Sequence, residues 1–206
     1  MKFYNTEVYG LNNSIKASSY PMSTDIIRDY DVITENDLKR SKKLGSAKPN
    51  SGHDCFLKGI IVQFDLCAPA YIWLQIMRYH FQDIISSQSK MHKIQNMDLD
   101  KQCNTWVLKE IKNICKSLIL FYNNYDWNTN KNVIWDDGIS YTKQDFFHLI
   151  ISNLPQGLEL TARMTSNYLQ LKTIYLQRKN HKLYDWNDDF LNWVNGLPMF
   201  KELINN

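Results

Sequence analysis

Hydrophobic and polar positions follow strand-like spacing in some segments of the chain and helix-like spacing in others. Residues 59–66 read Gly-Ile-Ile-Val-Gln-Phe-Asp-Leu, a β-branched run that turns to alternation, and this predicts a strand that Pro69 ends. Residues 71–80 are apolar and aromatic, which fits either a second strand or a buried helix, because periodicity alone does not separate the two. Apolar side chains at steps of three and four over 105–122 predict an amphipathic helix packed on a core.

The C-terminal half carries further helix signals. Thr142, with Asp145 three residues later, is a capping pair, and it predicts a helix that ends before Leu154-Pro155. Further helices are predicted over 161–178 and 187–196.

The least hydrophobic sustained stretch is 23–52. Its first half fits a short helix. Its second half contains Gly45, Pro49 and Gly52 among small polar residues, and it predicts a mobile polar loop around 40–52.

The chain has 206 residues, 44% of them hydrophobic, which is enough for one compact domain with a substantial core. We therefore expect a single domain, 1–206. The first ten residues carry polar side chains instead of an apolar signal core. No window approaches the roughly eighteen consecutive apolar residues of a transmembrane helix, so we expect a cytoplasmic protein that is not a membrane protein.

Charge and cysteine spacing exclude several classes of partner. The net charge of +3 comes from 24 basic and 21 acidic residues spread along the chain, so no basic face indicates nucleic acid, and a small anionic ligand fits better. Cys55, Cys67, Cys103 and Cys115 match neither a zinc module nor a secreted disulfide framework, and we interpret them as reduced core thiols. No metal site is predicted.

One polar cluster lies between residues 75 and 92, where serines, glutamines and histidines are dense. Hydroxyl and amide groups can bind a phosphate or a pyrimidine edge without the desolvation cost of full charge. The alternative is a polar loop that caps a helix beginning near Ser89. The residues of this cluster that we select as candidates for substrate binding are Gln75, Ser86, Ser87, Gln88, Ser89 and His92.

A second cluster lies on the helix predicted over 161–178 and just beyond it. Its members fall on one broad helical face, so they could line a single pocket, and the alternative is a solvated face. They are Asn167, Gln170, Gln177, Arg178 and His181. His53, after Ser51-Gly52, stands alone.

Taken in order, these pieces resemble the flavin-dependent thymidylate synthases, which methylate deoxyuridine monophosphate (dUMP) using FAD, NADPH and methylene-tetrahydrofolate. Gly52-His53 matches an early Gly-His of that family, Phe64 a Phe in its next strand, and Gln75 the Gln before its arginine-rich signature. The later matches are Leu154-Pro155, Thr161, Asn167 and Arg178. The resemblance spans about residues 50–185.

The family signature Arg-His-Arg-x-x-Ser-x-Asn-x-x-Ser-x-Arg-Tyr is altered in this chain. With its second Ser on Ser89, its Arg-His-Arg falls on Tyr79-His80-Phe81 and its Arg-Tyr on Met91-His92. A register shifted by one recovers Arg78 but loses both His80 and Ser89. Each missing guanidinium removes a charge-assisted contact of about 1.5–3 kcal/mol. Either a less charged ligand is bound or the site has lapsed.

The resemblance implies an α/β (α+β) fold with a central twisted sheet flanked by helices, and a homotetramer. It places His53 and His80 against the flavin, and it places Asn167 and Arg178 between flavin and nucleotide. It places Gln75 and Ser89 near the pyrimidine, and the second cluster adds His181 to the substrate candidates. Either Tyr79 or Trp73 would stack on the folate.

Two functions therefore stay open. The first is a divergent one-carbon transferase that acts on a pyrimidine deoxynucleotide with FAD, and with NADPH and methylene-tetrahydrofolate as its family does. The second is a non-catalytic nucleotide-binding, regulatory or protein-interaction protein that keeps the fold. The missing arginines favour the second, and the polar density retained at 86–89 favours the first.

Overall fold

A computed structural model describes residues 1–24, 32–49 and 51–205. The strands are β1 (Lys2–Tyr9), β2 (Ile61–Pro69), β3 (Asp83–Ser87), β4 (Asn132–Ile134), β5 (Ser140–Thr142) and β6 (Glu159–Asn167). The α-helices are α1 (Leu11–Ala17), α2 (Glu35–Gly45), α3 (Ala70–Ile76), α4 (Lys90–Lys93), α5 (Leu99–Gln102), α6 (Lys109–Asn124), α7 (Lys143–Asn153), α8 (Tyr168–Arg178), α9 (Leu191–Asn195) and α10 (Phe200–Ile204). Shorter 3₁₀ turns cover Tyr20–Met22, Cys55–Gly59 and Ile94–Asn96, and a π-helical turn covers Asp185–Phe190.

Four strands form one sheet in the order β1-β2-β6-β3, and β4 pairs with β5 in a separate two-stranded sheet. The mixed fold, with an antiparallel sheet flanked by helices, confirms the predicted fold class. The chain divides into two compact units. The first contains Met1–Leu66, Gln75–Ser86 and Ala162–Asn206, and the second contains Cys67–Leu74 and Ser87–Thr161.

The two central strands bury alternate residues, as expected for strands with one covered face. In β2 the buried positions include Val62, Phe64 and Leu66, each at most 1% exposed. The strand predicted over 59–66 is therefore confirmed as β2, which begins two residues later, at Ile61, and ends at Pro69. By contrast, every residue of β3, at one end of the sheet order, is exposed.

The helix predicted over 161–178 is wrong in its first half, because residues up to Asn167 belong to β6. Ala162, Met164 and Ser166 are buried at a spacing of two, which is the period of a strand. Only the second half is helical, as α8.

Other helix predictions are confirmed with small shifts in their ends. The helix predicted over 105–122 is α6, and 71–80 contains α3, so the helical alternative is the correct one. Thr142 and Asp145 form a capping box at the start of α7. The last predicted helix, 187–196, is the π-helical turn followed by α9.

The polar loop predicted around 40–52 begins later than expected, because α2 extends to Gly45. A capping box between Thr34 and Asp37 starts this helix. Hydrogen bonds from Thr34 lower the pKa of Asp37 to about 2, and Arg40 adds an ion pair at 2.9 Å. Gly45 is required at the end of α2 because a Cβ there would overlap the carbonyl oxygen of Leu203.

The second unit has its own core around α6, α7 and the β4–β5 hairpin. Phe146 is fully buried at its centre, and the aromatic rings that pack around it are those of Phe121, Trp127, Trp135 and Tyr141. Buried residues of this core are Ile94, Leu99, Cys103, Cys115, Leu118, Ile119, Phe146, Ile150 and Leu158.

The four cysteines are free thiols in different environments. Cys103 and Cys115 are buried, and burial raises the pKa of both thiols. Cys67 is half-buried, whereas Cys55 is exposed, so the prediction of a core position is wrong for Cys55. Among the described residues, no His, Cys, Asp or Glu cluster could hold a metal ion, and no helix could cross a membrane.

Candidate functional site

The first unit contains a cavity of about 820 Å³, which is within the size range of small-molecule sites. Residues from 49–58, from the turn before β3 and from the start of α8 form its walls. The lining residues are Pro49, Gly52, Asp54, Cys55, Lys58, Phe81, Asn167, Leu169, Gln170, Lys172 and Thr173.

The start of α8 supplies the polar wall of the cavity. The side-chain oxygen of Asn167 accepts a hydrogen bond of 2.9 Å from the backbone N–H of Gln170, which caps the helix. The Gln170 side chain makes no hydrogen bond with the described residues, so its amide remains available to a ligand. Asn167 and Gln170, both selected from the sequence, are therefore brought together at this cavity.

A buried lysine of α8, Lys172, also lines the cavity. Lys172 is 2% exposed, and its Nζ donates hydrogen bonds of 2.8 Å to the carbonyl oxygen of Gly45 and 2.7 Å to that of Ala47. A third bond of 2.6 Å goes to Oδ2 of Asp54. These contacts use all three N–H groups of the ammonium, as burial of a charge requires. They attach the 45–54 segment to α8.

Two lysines line the cavity, Lys58 and Lys172. Asp54 neutralises Lys172, whereas Lys58 has no carboxylate partner among the described residues. Lys58 is exposed and forms no ion pair or hydrogen bond with any described residue. The cavity can therefore attract an anion, although with one available charge instead of a cluster.

Phe81 forms the part of the cavity wall that comes from the turn before β3. Its side chain is 69% exposed, and its backbone lies in the left-handed region with φ 60°. A bulky side chain is rare in this region, and strained residues of this kind concentrate at functional sites.

The C-terminal end of α8 carries a separate cluster centred on Arg178. Its Nη1 donates to Oε1 of Gln75 at 3.1 Å, and its Nε donates to the hydroxyl oxygen of Tyr79 at 2.8 Å. The guanidinium lies over the ring of Trp186, with 4.4 Å between Cζ and the ring centroid. Trp186 Nε1 donates to the same Gln75 oxygen at 2.9 Å.

This cluster positions Arg178 without exhausting its donors. An arginine has five N–H donors, and only two are used by described residues. The remaining donors are fixed in orientation by the two hydrogen bonds and by the ring of Trp186. Such a group is suited to bind a carbonyl or phosphate oxygen.

His181 lies beyond the end of α8, beside the Arg178 cluster. Its ring packs edge-on against Trp186, and its Nδ1 accepts a hydrogen bond of 3.1 Å from the backbone N–H of Leu183. Burial, together with the charge of Arg178, lowers the pKa of His181. Both effects favour the neutral imidazole.

The two features lie at opposite ends of α8. Gln170 and Arg178 are separated by about 12 Å along the helix axis, at 1.5 Å per residue. The segment from Gln75 to Phe81 contributes to both features. Gln75 and Tyr79 contact Arg178, and Phe81 lines the cavity.

The remaining candidates from the sequence do not line the cavity. His53 and His80 are exposed, Ser86 and Ser87 lie in β3, and His92 is exposed on α4. Ser89 caps α4 by accepting a hydrogen bond from the backbone N–H of His92, as the capping alternative predicted. Oε1 of Gln88 accepts from the backbone N–H of Thr161 at 3.0 Å. Gln177 is exposed and does not line the cavity. The second cluster therefore does not line a single pocket: Asn167 and Gln170 are at the cavity, whereas Arg178 and His181 are at the other end of α8.

Sequence reasoning missed several of the residues that shape the cavity. Lys172 looks like an ordinary surface position on a helix, and its partners at 45–54 lie more than a hundred residues away. Phe81 carried a signal, because it stands where the family signature has an arginine. Lys58 and Cys55 lie in a region for which spacing offered no motif.

Comparison with solved structures identifies the fold. Two crystal structures of the flavin-dependent thymidylate synthase ThyX from Helicobacter pylori, both with FAD and dUMP, match with a TM-score of 0.69. Each match covers 100% of this chain and 98% of that chain at 11% sequence identity. No protein-family model matches the sequence, and no curated protein does. The fold implied by the sequence resemblance is confirmed.

Proposed function

We propose that this protein binds a flavin and a pyrimidine deoxynucleotide at the cavity and transfers a one-carbon unit to the pyrimidine. One observation supports this most directly: two residues selected from the sequence, Asn167 and Gln170, line the cavity. The cavity lies in a fold whose solved examples were crystallised with FAD and dUMP.

The residues present fit a planar, hydrogen-bonding ligand. Gln170 offers a free amide, Lys58 offers one positive charge, and Phe81 offers an exposed aromatic ring. A bound FAD would supply the hydride and one-carbon chemistry, since no protein side chain carries it. The chain itself would orient the rings and keep them apart from bulk water.

Arg178 is the second expected point of contact. Its unused N–H groups can donate hydrogen bonds to a carbonyl or phosphate oxygen that carries a developing or permanent negative charge. Gln75 acts on the ligand indirectly in this proposal, because its side-chain oxygen is engaged by Arg178 and Trp186. His53 and His80 remain proposed flavin contacts.

The test begins with the absorption spectrum of the purified protein. Flavin bands, or a rise in thermal midpoint on addition of FAD, would support the proposal. A ligand at a hundred times its dissociation constant adds about 2.7 kcal/mol of stability. The activity assay measures formation of the methylated nucleotide from dUMP with FAD, NADPH and methylene-tetrahydrofolate. A colourless protein that FAD and dUMP both fail to stabilise would refute the proposal.

A matched pair of variants on α8 locates the ligand. Gln170→Ala removes a lining amide, and Gln177→Ala removes an exposed amide from the same helix outside the cavity. Neither should change stability by more than about 0.5 kcal/mol. Only Gln170→Ala should weaken FAD or dUMP binding, and equal binding by both variants would place the ligand elsewhere.

A non-catalytic nucleotide-binding protein is the alternative, and a specific observation favours it. Two positions of the family signature hold Tyr79 and Phe81 here, and Tyr79 contacts Arg178 instead of leaving that guanidinium entirely to a ligand. Under this alternative, FAD and dUMP would raise the thermal midpoint, with no product formed in the complete assay.

The assembly and location of the protein also remain proposals. The resemblance implies a homotetramer, and the exposed edge strand β3 is a surface on which copies could associate. Light scattering on a sizing column would measure the mass directly. We keep the expectation of a cytoplasmic protein that binds no nucleic acid.

A further inference from the structure

Phe81 combines exposure, backbone strain and position in a way that folding alone does not explain. Its side chain is 69% exposed and forms no ring contact with any described residue, so it contributes little to packing. Its φ of 60° is one that Gly and Asn adopt with less strain. Of the three other described non-glycine residues with positive φ, Asn5 and Asn180 follow that preference, and Met199, which precedes α10, is the exception. A strained, exposed aromatic residue therefore indicates a functional requirement.

The surroundings of Phe81 indicate what that requirement is. Phe81 lines a cavity whose other residues supply the amide of Gln170 and the single free charge of Lys58, together with the hydroxyl oxygen of Thr173, whose proton is donated to the carbonyl oxygen of Leu169. An aromatic face binds planar rings by stacking, and polar groups around it bind their edges.

We propose that Phe81 is the stacking surface for a planar heteroaromatic ring, and that residue 81 thereby determines which ligand the cavity accepts. This inference rests on the proposed function, since it assumes a ligand in that cavity. The ring is the isoalloxazine of a flavin or the pyrimidine of a nucleoside. In the signature register that keeps Ser89, residue 81 takes the place of an arginine, so a charge contact is replaced by a ring contact.

If the ligand is held by ring stacking, its affinity should depend on its aromatic ring and only weakly on its phosphate. Riboflavin and deoxyuridine lack phosphate, and at least one of them should bind with an affinity within about tenfold of its phosphorylated form, FMN or dUMP. Because Lys58 is one exposed charge, the affinity should also change little between low and physiological salt.

The experiment measures binding of riboflavin and deoxyuridine by calorimetry to the full chain and to variants of residue 81. Phe81→Leu keeps apolar bulk without a ring, and binding of the stacked probe should weaken about tenfold. Phe81→Trp should retain or improve it, and should also quench riboflavin fluorescence if riboflavin is that probe. Met77→Leu and Met77→Trp are the matched controls, since Met77 is 63% exposed on the same turn and outside the cavity wall.

Phe81→Gly separates binding from stability. Glycine adopts φ 60° without strain, so the thermal midpoint should stay the same or rise while binding of the stacked probe is lost. If the wild-type protein binds a probe and Phe81→Leu and Phe81→Gly bind it equally well, this inference is overturned and the proposed function stands. If the wild-type protein binds neither probe nor FAD or dUMP, both are overturned.

Discussion

Lys172 on α8 and Asp54 before the Cys55–Gly59 turn form an ion pair of 2.6 Å in which each side chain is only 3% exposed. The pair is separated by 118 residues along the chain. A buried pair of this kind is costly to form, but removal of one partner leaves an uncompensated charge.

Replacement of Lys172 therefore gives the first prediction. Lys172→Met should lower the free energy of unfolding by about 3–5 kcal/mol, because Asp54 would stay buried without a counter-charge. Urea denaturation followed by circular dichroism measures the change. Lys182→Met, at an exposed position just after α8, is the control and should cost no more than about 0.5 kcal/mol. Similar values for both variants would show that the pair is not buried in solution.

The second prediction concerns the acceptor shared by Arg178 and Trp186. Gln75→Ala removes the oxygen that accepts from both side chains, and Trp186 is 1% exposed, so its N–H cannot turn to water. The free energy of unfolding should fall by about 1–3 kcal/mol. Gln177→Ala, an exposed glutamine of the same helix, should leave it nearly unchanged in the same urea titration. A neutral effect of Gln75→Ala would contradict the geometry of the cluster.

The third prediction is a pH dependence caused by His181. Its pKa in the folded protein is below the ordinary value of 6.5, so the unfolded chain binds the proton first as the pH falls. The contribution of His181 to stability is therefore complete above about pH 6.5, and it is lost as the pH decreases through the folded pKa.

The variant His181→Asn isolates this effect. Asparagine retains an acceptor for the N–H of Leu183 but does not titrate. Between pH 7 and 5 the unfolding free energy of His181→Asn should decline less steeply than that of the wild-type protein. Parallel pH profiles for the two proteins would refute the assignment.

Cysteine labelling gives the fourth prediction. Cys55 lines the cavity and is exposed, whereas Cys103 and Cys115 are buried with raised pKa values, so iodoacetamide should modify Cys55 well before those two. Bound FAD or dUMP should slow that modification, as measured by mass spectrometry of digests taken over time. In Cys55→Ser the protected site should be absent. A ligand that raises the thermal midpoint without protecting Cys55 would bind outside the cavity.

The sequence correctly predicted the elements whose conformation is determined by residues close together in the chain. The capping box of Thr142 and Asp145 and the three- and four-residue spacing of α6 both depend on neighbours within a few residues. Residues 161–167 of β6 are wrongly predicted as helix, and the buried positions among them are Ala162, Met164 and Ser166. None of these residues is a strong strand former, so burial in the sheet, and not propensity, decides the conformation.

The cavity was predicted only in part, for a related reason. Asn167 and Gln170 belong to one helix start, and a polar pattern there is visible in sequence. The lining residues contributed by 49–58 depend on Lys172, whose contacts with Gly45 and Asp54 are made by tertiary folding alone. Short-range patterns carry no information about such contacts.

The order of the segments has a consequence for synthesis on the ribosome. Residues 87–161, most of the second unit, are complete while 162–206, which carries α8 and the C-terminal helices, has yet to emerge. We expect the second unit to acquire its core during translation, and the first unit to close only afterwards. A chain released before Lys172 is added would lack the buried hydrogen bonds that attach Gly45, Ala47 and Asp54 to α8.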